Sequence, residues 1–322
     1  MDRIAVIGLG NIANRHRKNI RLLFPHVSII AMSASGRIPT EQISNSDLVV
    51  SSIEQVVDAE VDFVIVASPA TFHANHATIL LKANIPVLIE KPLTASDEDA
   101  GLILKKLIET NTFTAVAYCL RYLPSMQKVQ KLLDAQAIGR LYNAYIEIGQ
   151  YLPDWRPSKD YRESVSANEH LGGGALLELS HELDYAQKLL GPLSLEYAIL
   201  RSSEELQLDV EDSADLVLKT KEGAIVNIHL DFLQKKAYRK CRFVGDQGVI
   251  EWDLIKNEVV LSGPTQTKVI YSEPDWDKNQ MYLAMVQDFV AKIEQRPNHC
   301  VTVEEAIKTV TLVNQIKQHT KA

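Results

Sequence analysis

The chain has 322 residues, enough for two domains of ordinary size, and its 46% hydrophobic content can supply a core to each. A formal charge of -7, from 34 basic against 41 acidic residues with no basic block, leaves no electrostatic footprint for nucleic acid. No apolar stretch approaches the roughly 18 residues of a membrane span, and the run Ile4 to Ile7 is too short for a secretory leader. Cys119, Cys241 and Cys300 are odd in number and lack CxxC or metal-ligand spacing, so reduced thiols in the cytoplasm are expected and no metal site is.

From the start to about residue 120, short apolar runs alternate with helical patterns. Ile4 to Ile7 is a run, Asn14 to Phe24 is helical in period, and Ser28 to Met32 and Phe63 to Ala67 are runs. His73 to Lys82 reads as helix, Val87 to Ile89 as run, Ala95 to Thr110 as helix and Thr114 to Ala117 as run. Runs apolar on both faces, separated by helices, predict a doubly wound α/β domain with a parallel sheet over residues 1–120.

The rhythm then changes. A helix around Ser125 to Leu133 precedes a long alternating strand, Leu141 to Tyr151, and a polar, aromatic loop to Leu171. A single helix is predicted from about Ala175 to Leu190, strands recur between Leu195 and Tyr271, and helices close the chain near Lys278 to Glu294 and Val303 to Gln318. Residues 121–322 are therefore expected to form an α+β domain on one open, largely antiparallel sheet.

Gly8-Leu9-Gly10-Asn11-Ile12-Ala13 fits G-x-G-x-x-G/A directly after a strand and before a helix. Gly8 permits the tight turn, Gly10 lets a pyrophosphate approach the backbone, and Ala13 allows close packing of helix on strand. About 20 residues on, an acidic residue commonly binds the adenosine ribose; here Ser33-Ala34-Ser35-Gly36-Arg37 carries none. Ser33 and Arg37 suit a 2′-phosphate, so NADP is slightly favoured over NAD.

Val87-Leu88-Ile89 runs straight into Glu90-Lys91-Pro92. A charged pair at the end of a buried strand is costly unless paired or used. Hydride transfer to a nicotinamide leaves a hydroxyl proton to be removed, so a base and a cation must meet at one oxygen, and Lys91 lies past a strand end, where open α/β sheets bind ligands. Pro92 predicts a constrained turn, with the Lys91–Pro92 bond a candidate for cis.

Together these motifs resemble the glucose-fructose oxidoreductase and inositol dehydrogenase family (Gfo/Idh/MocA). The resemblance extends through His16, Ala67-Ser68-Pro69-Ala70-Thr71-Phe72-His73, Leu120-Arg121-Tyr122-Leu123-Pro124, Gly172-Gly173-Gly174-Ala175, His181-x-x-Asp184 and Val303-Glu304-Glu305-Ala306. It implies an N-terminal Rossmann domain and a C-terminal domain that forms the substrate wall and often an oligomer interface, hence a homo-oligomer, dimer or tetramer. It also implies NAD(P)-dependent oxidation of a sugar, cyclitol or nucleotide-sugar hydroxyl, or the reverse, with Lys91 and His181 catalytic. Asn11, Ile12, Ser68, Pro69, His73 and Glu90 join Gly8, Gly10, Ala13, Ser33, Arg37 and Lys91 at the cofactor.

Many relatives place an aspartate four residues before the histidine; here Glu178 stands three before His181 and can still share its helix face. Asp184, on the same face, and Arg121 are candidate substrate contacts. In the loop from Leu152 to Arg162, Trp155, Arg156 and Tyr161 suit a sugar ring and an attached phosphate or carboxylate. A phosphorylated or nucleotide-linked sugar is the leading expectation. A non-redox, glycosidase-like use of NAD and a non-catalytic dinucleotide-binding regulator are the alternatives, the latter disfavoured because a regulator has no need of both Lys91 and His181.

Overall fold

The computed structural model describes residues 1–320. In chain order the first elements are β1 (Arg3–Ile7), α1 (Asn11–Leu23), β2 (Ser28–Met32), β3 (Leu48–Val50), α2 (Ile53–Asp58), β4 (Phe63–Val66), α3 (His73–Lys82), β5 (Val87–Glu90), α4 (Asp97–Thr110) and β6 (Thr114–Ala117). Their six strands are all parallel, in the order β3-β2-β1-β4-β5-β6. Ile4 to Ile7, Phe63 to Val66 and Val87 to Ile89 are buried on both faces, which is why these strands read as continuous apolar runs. β3 and α2 escape a reading by periodicity because they have only three and six residues. Ser52 starts α2 by accepting from Gln55 N, and Ser96 starts α4 by accepting from Asp99 N.

The second set comprises α5 (Pro124–Asp134), β7 (Leu141–Gly149), α6 (Ala175–Glu178), α7 (His181–Leu190), β8 (Leu193–Arg201), β9 (Ser213–Thr220), β10 (Ile225–Asp231), β11 (Tyr238–Gly245), β12 (Val249–Asp253), β13 (Glu258–Ser262) and β14 (Thr267–Ser272). These eight strands run β14-β13-β12-β11-β7-β10-β9-β8, every neighbour antiparallel except β7 with β10. Alternate residues such as Ala144, Ile146 and Ile148 on β7 face the core. Trp252 Nε1 donates to Ser125 Oγ at 2.9 Å, joining β12 to α5.

The chain closes with α8 (Asn279–Ile293) and α9 (Val303–His319). Phe289 of α8 meets Phe63 edge-to-face at 5.6 Å, Val116 N donates to Val301 O at 2.9 Å, and Val303, Ala306 and Val310 enter the core around the parallel sheet. By packing, one unit is therefore Met1–Cys119 with Asn279–Thr311, and the other is Leu120–Lys278 with residues 312–320. A single cut at residue 120 assigns the stretch 279–311 differently. Periodicity reveals that a helix has an apolar stripe, but only the folded chain decides which sheet receives it.

Candidate active site

The glycine turn is built by close approach. Gly8 has φ +123°, and a Cβ there would stand 2.2 Å from the Ala67 carbonyl oxygen, so only glycine passes. Gly10 is the N-cap of α1, and a Cβ on it would meet nothing within 4 Å, so its front is open. Asn11 and Ile12 begin α1, whose first turn holds no acidic residue, and Ala13 is fully buried behind them. An open helix N-terminus with uncompensated positive dipole fits the pyrophosphate of a dinucleotide.

Arg17, which sequence reasoning missed, pins this turn. Its Nη1 donates to Gly8 O at 3.1 Å and its Nε to Ser44 O at 3.0 Å, and burial lowers its pKa. Nothing in the sequence separates it from its exposed neighbours Arg15 and Lys18. At the end of β2, Ser33 is buried with its hydroxyl unpartnered among the described residues, while Arg37 is exposed.

At the end of β5, the buried Glu90 carboxylate accepts from His16 Nε2 at 2.6 Å and from Lys91 N at 3.0 Å. The Lys91–Pro92 peptide is cis, as the sequence predicts, and Lys91 is partly buried. His73 lies between Ser68 O, 2.8 Å from Nε2, and the carbonyls of Pro92 and Leu93, 3.0 and 3.1 Å from Nδ1. Burial lowers its pKa against the pull of these carbonyls and of Glu90. The histidine expected at the cofactor thus has both ring nitrogens engaged by backbone, and it clamps the strand-end loop holding Ser68 and Pro69 to the turn carrying Lys91.

His76 extends the clamp. Its ring stacks on Phe72, Nδ1 lies 3.1 Å from Ser68 Oγ, and it bonds to the Ala34 carbonyl. Burial, reinforced by His73, lowers its pKa to about 4, so it is neutral near pH 7; Ser68 then donates to Nδ1.

In the other unit Arg121 forms a fork with Asp184, Nε to Oδ2 at 3.0 Å and Nη2 to Oδ1 at 2.7 Å, both side chains nearly buried. Sequence reasoning made both candidate substrate contacts; the structure has them spend this fork on each other. The single helix expected from Ala175 to Leu190 is broken. Ser180 N bonds Leu177 O and Glu182 N bonds Leu179 O, i−3 links that interrupt the helical ladder. Glu178 therefore closes α6 while His181 opens α7, and the helical spacing that set them on one face does not apply. The Glu178 carboxylate accepts from Ser166 Oγ at 3.1 Å.

Two carboxylates that the sequence did not single out hold this region. Glu211 receives Leu176 N at 3.1 Å, and a Cβ on Gly174, φ +102°, would lie 2.4 Å from its Oε1. Glu182, fully buried beside His181, accepts from Arg239 Nε at 2.7 Å and ties α7 to β11. In the preceding loop Trp155 packs edge-to-face on Phe232, Tyr161 donates to Leu206 O, and Arg156 is exposed.

A cavity of about 650 Å³ lies over the eight-stranded sheet, and four of the charged groups in its lining are paired with one another. His229 sits between Asp215 at 2.6 Å and Asp231 at 2.9 Å, and Lys240 pairs with Asp253. Asp231, then Asp215, raises the His229 pKa to about 9. Among the described residues no group of three or more His, Cys, Asp or Glu could hold a metal, and no helix is long and apolar enough to cross a membrane.

A parallel sheet in this strand order, with an open glycine turn after β1 and a lysine past the end of β5, defines a dinucleotide-binding domain of the kind found in NAD-binding oxidoreductases. The family description "Oxidoreductase family, NAD-binding Rossmann fold" matches residues 3–118, and "GFO/IDH/MocA C-terminal domain" matches residues 126–251. The chain belongs to the GFO/IDH/MocA oxidoreductase family. It is 25% identical over 282 residues to inositol 2-dehydrogenase 1 of Saccharopolyspora erythraea, covering 84% of this chain and 80% of that one. It is 29% identical over 259 residues to a dTDP-3,4-didehydro-2,6-dideoxy-alpha-D-glucose 3-reductase of Streptomyces violaceoruber, covering 78% and 72%. Its fold matches levoglucosan dehydrogenase in complex with NADH and levoglucosan, with TM-score 0.85, 17% identity and 99% and 97% of the two chains covered. The UDP-N-acetylglucosamine 3-dehydrogenase of Acidithiobacillus ferrooxidans matches with TM-score 0.79, 18% identity and coverage of 99% and 98%.

The His76 environment predicts an acid limb of stability. The unfolded chain takes up this proton near pH 6.5 and the folded chain only near 4, so stability is full above 6.5 and falls as the pH drops toward 4. A shift of this size corresponds to about 3 kcal/mol. Urea unfolding at pH 7 and pH 4.5 should show a smaller acid loss for His76→Gln than for the wild type; equal losses would discard the account.

Proposed function

We propose that the protein transfers a hydride between a nicotinamide and a hydroxyl or carbonyl carbon of a sugar, cyclitol or nucleotide sugar, with Lys91 and His181 handling the hydroxyl proton. The observation that carries this reading is the anchored turn. Glu90, held by His16 and Lys91 N–H, fixes Lys91 past the end of β5, on the same sheet edge as the open glycine turn. The inositol and deoxysugar relatives support the substrate class by their names. When bound, the nicotinamide supplies the hydride acceptor or donor.

Gly8, Gly10, Asn11, Ile12 and Ala13 form the phosphate turn, Ser68 and Pro69 the neighbouring wall, and His73 and Glu90 position rather than touch. The Lys91 ammonium polarises the substrate oxygen, and His181, at the start of α7, exchanges its proton. Arg121 and Asp184 position α7, Glu178 stands at the preceding break, and Trp155, Arg156 and Tyr161 face the substrate. Lys91→Ala should reduce turnover by roughly 10² to 10⁴-fold, the range of a lost acid–base group, with dinucleotide affinity within about twofold. A variant turning over near the wild-type rate would remove Lys91 from the chemistry.

NADP is the favoured cofactor, because the end of β2 offers the buried Ser33 hydroxyl and the exposed Arg37 and no carboxylate. Fluorescence titration should find NADPH bound more tightly than NADH, and Arg37→Ala should weaken NADPH about fivefold, as expected for one exposed ion pair. A tenfold preference for NADH would overturn this assignment.

The assembly is a dimer or tetramer formed through the eight-stranded sheet, where Tyr145, Tyr197 and Ile199 stand 40%, 54% and 42% exposed beside the charged row. Sedimentation should show a multimer that Tyr197→Glu shifts toward monomer. A wild-type protein that sediments as a monomer at tens of micromolar removes the interface.

A further inference from the structure

The segment between β7 and α6 encloses a second cavity of about 190 Å³, lined by Trp155, Arg156, Lys159, Tyr161, Ser164 and Ser166 among others. This is below the roughly 300–1,000 Å³ of a complete small-molecule site, so it suits one substituent of a ligand and not the whole. The sequence offers three cations around this loop, and the structure sorts them. Arg162 is spent, lying over the Tyr161 ring at 4.9 Å and pairing with Asp160 at 3.3 Å. The side chains of Arg156 and Lys159 line the cavity and have no ion pair or hydrogen-bond partner among the described residues; only their backbones are joined, Lys159 N donating to Arg156 O at 3.0 Å.

Two buried polar atoms in the same segment are also unanswered. Trp155 Nε1 and Ser164 Oγ are out of contact with solvent, and neither has a partner among the described residues. A buried indole N–H and hydroxyl without partners each cost on the order of 1–3 kcal/mol. A guanidinium and an ammonium on one small wall, neither spent on a side-chain partner, call for a multi-oxygen anion, and the fork of Arg156 beside the point charge of Lys159 suits phosphate. Glu163 also lines the wall, and Asp160 does so already paired with Arg162, so the balance of unpaired charge stays positive. The cavity is tied to the predicted proton-transfer segment, because Ser166 in its lining donates to Glu178, at the end of α6 just before His181.

We infer that this cavity seats a phosphate group of the substrate, so that among the sugars open to this enzyme a phosphate ester is preferred to a neutral sugar. The inference rests on the reading of the chain as a sugar oxidoreductase. The protein saturated with NADPH, so that the glycine turn is occupied, is titrated by calorimetry with inorganic phosphate, glucose 1-phosphate, uridine diphosphate, glucuronate and glucose. At least one of the three phosphate compounds should bind, with glucose 1-phosphate pointing to a sugar phosphate and tighter binding of uridine diphosphate to a nucleotide-linked sugar. Arg156→Ala/Lys159→Ala should lose tenfold or more of that affinity. NADPH affinity should stay unchanged in the double variant, which reports that it folds.

The inference falls if glucose or glucuronate binds as tightly as the best-bound phosphate compound, or if the double variant keeps wild-type affinity for every phosphate probe. The two readings fail separately. Oxidation of a neutral sugar without phosphate binding sinks the cavity assignment and keeps the oxidoreductase. Variant-sensitive phosphate binding, with no nicotinamide reduction on any sugar or nucleotide sugar tried, keeps the cavity and sinks the substrate class.

Discussion

The carboxylate of Glu90 is withdrawn from water at the end of a central strand, and two donors hold it there: the His16 ring and the Lys91 backbone N–H. A buried carboxylate is costly alone and tolerable when its oxygens are answered. The bond to His16 couples β5 to α1, the helix that carries the open glycine turn, and the bond to Lys91 N sets the direction of the chain as it leaves the sheet. His73 completes the arrangement from the next strand end, with one nitrogen toward Ser68 and the other toward Pro92 and Leu93. The two loops at this end of the sheet are thereby bonded to each other, and the one carrying Lys91 to α1.

In the other unit the same physics sets the helix that begins at His181. Glu182 is fully buried against Arg239 of β11, Asp184 is buried against Arg121, and Tyr185 packs on Trp252 at 5.2 Å. Buried ion pairs contribute little net stability, yet removing one partner costs about 3–5 kcal/mol, so they act mainly to specify position. Cys241 beside Tyr185 belongs to the same packing: burial pushes its thiol pKa well up, which makes it inert.

Much of this was legible in the sequence because it follows from local rules. Gly8 must be glycine where the Ala67 carbonyl approaches, and the alternation of apolar runs with helical patterns was enough for a parallel sheet followed by a largely antiparallel one. What escaped was set by distant partners. Arg17 looks like any basic residue on a helix until Gly8 and Ser44 offer their carbonyls, and Glu211 like any loop acid until Leu176 N–H and Gly174 close on it. The break between Glu178 and His181 carries no proline, and the only signal there is small Ser180, so a continuous helix was the natural reading.

The sequence by itself determined the family, the glycine turn and the lysine placed past the β5 end, because each depends on residue type at short spacing. Only the tertiary structure decided that Arg121 and Asp184 answer each other, that His73 and His76 brace loops, and that the stretch 279–311 packs with the parallel sheet. The reason is common to all three. A charged or polar side chain in the interior is assigned its role by whichever partner the fold brings within hydrogen-bond reach, and that partner lies far away in the chain.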